Sequence, residues 1–400
     1  MRQDTGKSRI FAVDMISLSV IGLGNRAGKY LSCLGGNARV ECLVEPDAFR
    51  LYRAAAMYGV PESHCFRSAY DFFASGIKVD GVIIAVPDQI HYPIAIEAVK
   101  RGFHVLVEKP AVTTQADYES LLKESAEANA PVGVCLVMRY HPYYNRIKEL
   151  VQSGAIGQIQ EITHTEHIGP DRMGHTFVRG GWARKEDTGP IFLSKCSHDV
   201  DFILSLCGPG AKATKVQTEG SIELFKRSEA PAGSTDRCID CPVKNCRYNA
   251  VNLYRERKEW IAGFDVPPGK TLDQVIENVL TESQFGCCVY RCQNDVYDSQ
   301  HVDVELENGI RLSLSLEGTS AKEGRETVIK GTKGILRAEG GIITCGSIRE
   351  DYSQLENAPL HAGADKALVE DFLRSIETGT PMKASLTDAA EGHRICFLAG

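Results

Sequence analysis

Lys109 and His198 are the side chains whose types and settings best suit chemistry at a hydroxyl group. Lys109 stands in Glu108–Lys109–Pro110, just after the apolar run His104–Val107. That run reads as a parallel strand, and open α/β sheets bind ligands beyond the carboxyl ends of their strands. A lysine ammonium stabilises a developing alkoxide, and its pKa falls when it is desolvated. His198 lies in the run Lys195–Cys196–Ser197–His198–Asp199, at the start of an expected helix over 197–207. Removing hydride from a carbinol carbon requires loss of the hydroxyl proton, and histidine is the commonest side chain tuned for that step. Asp201, three residues on and on the same helix face, is placed to orient the ring.

A third group of residues would hold the oxidant. Ile21–Gly22–Leu23–Gly24–Asn25–Arg26–Ala27 follows the apolar run 16–20 and precedes a helical pattern with Ala27, Tyr30, Leu31 and Leu34 on one face. Strand, glycine turn and helix are the setting of a dinucleotide-binding loop. Gly22 permits the tight turn, Gly24 lets the backbone approach a pyrophosphate, and Ala27 lets the helix pack close to the strand. The helix N-terminus offers unpaired N–H groups to the phosphates. The next strand, 40–44, ends on Glu45, about 20 residues beyond the glycines. A carboxylate there accepts the adenosine ribose hydroxyls and repels a 2′-phosphate, which favours NAD over NADP.

Fourteen cysteines form a separate question. Cys238, Cys241 and Cys246 make C-x2-C-x4-C, and Cys287, Cys288 and Cys292 follow about 45 residues on. This spacing reads as a structural zinc site in a reducing compartment, with Cys292 or one of Cys287 and Cys288 as fourth ligand. The competing reading is a set of free thiols without metal. An iron–sulfur cluster has less support, because nothing else in the chain suggests electron relay.

The elements around these residues fall into two patterns. From 15 to 138 strands and helices alternate, with strands at 16–20, 40–44, 63–66, 81–86, 104–107 and 132–138. Such alternation predicts a parallel, doubly wound Rossmann domain. From 139 to 400 the expected strands are 159–164, 215–220, 301–306, 311–316, 326–330 and 334–338, with helices at 142–153, 197–207 and 364–377. Runs of strands with few helices predict a large, mostly antiparallel open sheet in an α+β domain, so the fold class is α/β. Residues 394–400 read as a helix interrupted before its end. The stretch of about 225–285 is polar, cysteine-bearing and poor in apolar residues, and is expected to be an irregular insertion. Residues 1–14 carry charges without an apolar core and are expected to be a flexible N-terminus rather than a signal peptide.

Composition narrows the partners. A hydrophobic fraction of 43%, a charged fraction of 24% and a net charge of −7 describe an ordinary globular protein. No basic block suggests nucleic acid, and no apolar run approaches a membrane span. A small-molecule ligand and a cytoplasmic location are the resulting expectations. Arg139 and His141, after the sixth strand, would line the mouth of the site. Arg179 and Trp182, ahead of the His198 helix, would offer a guanidinium and an indole to a sugar ring.

Several motifs together resemble the glucose–fructose oxidoreductase/inositol dehydrogenase/rhizopine catabolism family (Gfo/Idh/MocA). They are G-L-G-N-R-A at 22–27, V-P-D-Q-I-H at 86–91, E-K-P at 108–110, H-D-V-D at 198–201 and H-x-G-x-D at 361–365. The resemblance covers nearly the whole chain except about 225–285. It implies nicotinamide-dependent oxidation of a sugar, cyclitol or related polyol, and a homodimer or homotetramer formed through the C-terminal sheet. It places Lys109 against both cofactor and substrate, and Val86, Pro87 and His91 along the nicotinamide and ribose. It carries Glu108 and Arg139 into the cofactor site. One departure concerns the acid that such proteins have four residues before the histidine. This chain has Ser194 there, with Lys195 next, which resembles one branch of the family and gives Lys195 a share of the catalytic role. Two alternative functions follow: a glycosidase that recycles tightly bound NAD through a transient keto-sugar, and a non-enzymatic NAD-binding regulator.

Overall fold

The computed structural model describes residues 15–356 and 358–400; the expected flexible N-terminus over 1–14 lies outside them. The first sheet comprises β1 (Ile16–Ile21), β2 (Ala38–Val44), β3 (Cys65–Phe66), β4 (Gly81–Ile84), β5 (His104–Val107) and β6 (Val132–Val134). All its pairings are parallel, in the order β3-β2-β1-β4-β5-β6. Every residue of β1 and β4 is buried, as strands covered by helices on both faces require. The order reverses between β1 and β4, so the chain leaves a crevice at their carboxyl ends. Gly22, Ala85–Val86 and Glu108 emerge there, which is why short motifs so far apart in sequence meet.

β6 is shorter than its apolar run of 132–138 suggests. Only three residues pair with β5, and Val137–Tyr140 then coils into a 3₁₀ turn that leads into the helix Pro142–Gln152. The exposed edge of β6 is covered by the returning tail, where Val134 N–H donates to the Ala384 carbonyl at 2.8 Å. The tail also contributes to the core of this half. Leu368, Val369, Phe372 and Leu373, on the helix Ala364–Thr378, pack with β1 and β4 residues in one cluster. The two hydrophobic cores therefore do not divide at a single point of the chain.

The second sheet has eight strands: β7 (Ile159–His167), β8 (Ala213–Ser221), β9 (Ser299–Leu306), β10 (Arg311–Glu317), β11 (Gly324–Gly331), β12 (Ile335–Glu339), β13 (Ile342–Cys345) and β14 (Ile348–Asp351). Their order is β14-β13-β12-β11-β7-β10-β9-β8, and only β7 and β10 pair in parallel. Alternation sets the inner face: Val302, Val304 and Leu306 of β9 and Leu312, Leu314 and Leu316 of β10 are buried. That face packs with the helix Ile191–Leu206 in a second core. This helix starts six residues earlier than expected, so Ser194, Lys195 and His198 share it. Another helix, Leu386–Leu398, closes at Ala399, whose N–H reaches the carbonyls of Ile395 and Phe397; it does not run on through 400 as its pattern suggested.

The insertion is more ordered than its composition suggested. It contains the helix Leu272–Thr281, started by a capping box from Thr271 and Gln274. It also has its own apolar cluster, in which Leu253, Tyr254, Ile276 and Leu280 are buried and Trp260, Phe264 and Phe285 pack around them. The expectation of too little apolar surface is corrected by these aromatics, which are spread among charges and escape a periodicity reading. Asp265 of the insertion bonds to Arg50 on the helix Ala48–Tyr58 of the first half, with Arg53 at 3.4 Å.

Candidate active site

Gly22 has no alternative at its position. Its φ is +86°, and a Cβ there would lie 2.4 Å from the Ala85 carbonyl oxygen. β1 and β4 can therefore deliver their loops side by side only through a glycine. Gly24 ends the turn as N-cap of the helix Asn25–Ser32, and its side-chain direction opens into free space. This leaves the first-turn amides approachable by a phosphate. Glu45 lies beside them, buried, with Oε2 accepting from Leu23 N–H at 2.8 Å and Oε1 from Asp47 N–H at 3.1 Å. Each oxygen keeps a further lone pair for a ribose hydroxyl.

Lys109 points across to the second half of the molecule. Its ammonium donates to the Ser194 carbonyl on the helix Ile191–Leu206. Ser194 is one turn ahead of His198, so the lysine and histidine meet on one helix face. Burial pulls the Lys109 pKa below its ordinary value and Lys195 adds to this, against the opposing charges of Asp88, Glu108 and Asp199. Burial also holds His198 well below the ordinary histidine value, and the positive charge of Lys109 is the next cause. His198 is thus neutral near pH 7, the state a proton acceptor needs. Its Nδ1 is buried without a hydrogen-bond partner among the described residues.

Beneath this pair lies a buried ion cluster. Lys195 bonds to Glu166 on β7, and Arg325 of β11 reaches Glu166 at 3.0 Å and Asp199 at 2.5 Å. His164 Nε2 meets Asp199 at 3.1 Å, and its Nδ1 meets the Thr327 hydroxyl at 2.8 Å. Two carboxylates face Lys195 and Arg325, and these opposite charges anchor Lys195. Glu166, Arg325 and His164 come from strands far from the helix in sequence. Only the β7–β11 pairing identifies them.

Several expected contacts go elsewhere. Asp201 does not orient His198; it receives a two-pronged bond from Arg139, at 2.8 Å from Nε and 2.6 Å from Nη2. Arg139 also donates to the Lys383 and Asp388 carbonyls, so four of its five N–H donors are taken up within the protein. His91 is fully buried between two loops, with Nδ1 2.8 Å from the Pro110 carbonyl and Nε2 2.9 Å from that of Val86. It holds the E-K-P and V-P-D-Q loops together, and its ring is not free to line a ribose. Pro87 opens the 3₁₀ turn Asp88–Ile90 beside it. Arg26 bonds to Glu108 at 2.7 Å and to Asp365 at 2.8 Å, which ties the glycine loop to β5 and to the tail helix. Asp365 also receives His361 at 2.8 Å, so the tail motif works as a brace.

Arg179 is buried and bonds to the Cys287 and Tyr248 carbonyls among the cysteine-bearing loops, so the sugar contact expected of it is corrected. Trp182 does reach the crevice, donating from Nε1 to Asp88 at 2.9 Å. Asp88 is buried, and its pKa is raised by that burial. His141 caps the helix Pro142–Gln152; burial, with His361 and Arg325 next, pushes its pKa down to about 4.

All fourteen cysteines are free. Among the described residues no three His, Cys, Asp or Glu side chains are arranged to hold a metal ion as they stand. Cys238, Cys241, Cys246 and Cys288 line one small cavity. Cys292, expected as the fourth member, instead directs its thiol to the Cys288 carbonyl at 3.3 Å. The adjacency of Cys287, Cys288 and Cys292 in sequence could not separate them.

A six-stranded parallel sheet with this glycine turn and acid defines a nicotinamide-dinucleotide-binding protein with a second, sheet-based domain. The chain belongs to the Gfo/Idh/MocA oxidoreductase family: residues 16–136 match its NAD-binding Rossmann fold and 148–398 its C-terminal alpha/beta domain. "Putative oxidoreductase YteT" of Bacillus subtilis is 26% identical over 276 residues, 68% of this chain and 62% of its own. Inositol 2-dehydrogenase of Corynebacterium glutamicum is 29% identical over 148 residues, 36% of this chain and 43% of its own. The matched stretches span less than two thirds of both relatives. The structure of scyllo-inositol dehydrogenase from Lactobacillus casei, with NAD(H) and scyllo-inositol bound, shares the fold. It superposes with a TM-score of 0.66 at 20% identity, covering 96% of this chain and 95% of its own. Among the described residues no helix is long and apolar enough to cross a membrane.

Proposed function

We propose that this protein oxidises a hydroxyl of a sugar, cyclitol or related polyol with NAD. The observation that carries the reading is the bond from Lys109 to the Ser194 carbonyl, one turn ahead of His198, with burial lowering the pKa of both side chains. The substrate oxygen would sit against the Lys109 ammonium, which stabilises the alkoxide as it forms. His198 takes the hydroxyl proton at its Nε2. Lys195, fixed by Glu166, adds a second donor on the same helix. Trp182 and Asp88 border the space where the ring would rest. NAD, when bound, accepts the hydride from the carbinol carbon. Glu45 supports a preference for NAD over NADP, since a 2′-phosphate would meet a buried carboxylate.

The outer face of the second sheet, where Arg311 and Lys330 pair with Glu161, is the surface through which the family resemblance would join copies into a dimer or tetramer. Free thiols throughout the chain suit the reducing cytoplasm. A second reading, a glycosidase that recycles NAD through a transient keto-sugar, draws on Asp265. Its ion pairs with Arg50 and Arg53 carry the insertion over to the helix that follows Glu45, which would slow release of the adenosine end.

One experiment separates the two. Purified protein is mixed with NAD and a panel of polyols and aryl glycosides, and nicotinamide reduction and aglycone release are followed together. Net reduction with a polyol supports the oxidoreductase. Aglycone release without net reduction supports the second reading, and neither signal from any compound refutes both.

A further inference from the structure

The cavity lined by Cys238, Cys241, Cys246 and Cys288 measures about 10 Å³, room for one atom-sized guest. No carboxylate or imidazole lines it, so an oxygen-seeking cation would find only neutral side-chain oxygens, such as those of Ser234 and Asn249, against four sulfurs.

Arg179 supplies the independent observation. It is only 3% exposed, and no carboxylate lies within ion-pair distance among the described residues. Its partners are the Cys287 carbonyl at 2.7 Å, the Tyr248 carbonyl at 2.6 Å and the Cys238 sulfur at 3.5 Å. A buried guanidinium without a counter-ion is costly. Its one partner able to carry negative charge is a cysteine of the cavity.

We propose that Cys238, Cys241, Cys246 and Cys288 bind a structural zinc ion, with Arg179 as the buried counter-ion of the resulting tetrathiolate. Four thiols lose four protons to solvent as four zinc–sulfur bonds form, leaving a site of net charge −2 that the guanidinium half compensates. Protonated thiols have no attraction for one another. They line the cavity without closing on a point, and the cation supplies the force that closes them. The ion pins the 238–246 loop to the 287–292 segment and so fixes the insertion that reaches Arg50. Cys292 lies outside the ligand set.

The full-length protein, purified without chelator or added metal, should contain about one zinc per chain by elemental analysis. Cobalt(II) exchanged into the wild-type protein should give thiolate-to-cobalt charge transfer and the intense ligand-field bands of a tetrahedral four-sulfur site, a readout that needs no variant. Cys288→Ser should lose the stoichiometric zinc and Cys292→Ser should keep it. Arg179→Met should surrender zinc to a chelator about tenfold faster, for a loss of about 1.4 kcal/mol. Protein without zinc whose four thiols react freely while it remains folded would overturn the site. So would loss of zinc from Cys292→Ser with retention in Cys288→Ser, or the visible absorption of an iron–sulfur cluster. An unchanged chelation rate in Arg179→Met would overturn the counter-ion role.

Discussion

Replacing Arg139 by Met tests whether that residue serves the cofactor or the scaffold. The Asp201 side chain is 4% exposed and Arg139 16%, joined by two bonds of 2.8 and 2.6 Å. Removing one partner of a buried pair costs about 3–5 kcal/mol, mostly from the charge left behind. The partial exposure of Arg139 sets the expectation near the lower end, about 3 kcal/mol. For a cooperative unit of 150–250 residues, about 1 kcal/mol shifts Tm by roughly 2–4 °C, so Arg139→Met should melt roughly 6–12 °C lower. Adding Asp201→Asn removes the stranded charge and should restore a large part of the loss. NAD affinity, read by quenching of protein fluorescence, should change by less than about twofold, about 0.4 kcal/mol. A Tm within about 2 °C of the parent, together with NAD binding weakened about tenfold or more, would show that Arg139 holds the cofactor and that the scaffold argument is wrong.

Gly22→Ala should weaken NAD binding by more than about tenfold, because the new Cβ would overlap the Ala85 carbonyl and the left-handed backbone adds about 1–2 kcal/mol of strain; Gly24→Ala, with open space at its Cβ, should fold as well as the parent, and equal NAD affinity for Gly22→Ala and the parent in a direct titration would refute the turn argument. Stability should fall as the pH drops from about 6.5 towards 4, because His141 and His175 are each pushed down to about 4, mainly by burial. The unfolded chain binds protons there that the folded chain does not, so identical denaturant midpoints at pH 7 and pH 5 would contradict it. The acid limb of kcat/KM should lie below pH 6.5, since burial and Lys109 keep His198 unprotonated; an acid limb above pH 7 would remove His198 as the base.

The glycine loop and Glu45 were legible because their chemistry is local: a turn, a helix start and an acid at the next strand end. Lys109 and His198 were legible as residue types at element ends. Their neighbours were not. Asp201 looked like the partner of His198 because helix spacing compares only residues of one helix, while the 3₁₀ turn after β6 brings Arg139 to it from 62 positions away. Glu166, Arg325 and His164 depend on sheet register, which no single strand reveals. Trp260, Phe264 and Phe285 looked like stray aromatics in a polar stretch, yet they gather with His175 around Tyr254. Strands β13 and β14, four residues each, were too short to show alternation, and the glycines at 340–341 and 346 mark their turns only in retrospect.

The central claim is that Lys109 and His198 act on a hydroxyl at the face of bound NAD. Its most direct test is transfer of deuterium from a polyol labelled at the carbinol carbon, with one equivalent of NAD, followed by mass spectrometry of the nicotinamide. The wild-type protein should place deuterium on the nicotinamide ring with a substrate found in the panel. Lys109→Met and His198→Asn should bind NAD as the parent does and transfer at least about a hundredfold more slowly, the scale of a lost acid–base or oxyanion contact. Transfer at the parental rate in either variant, or reaction without label on the nicotinamide, would contradict the account.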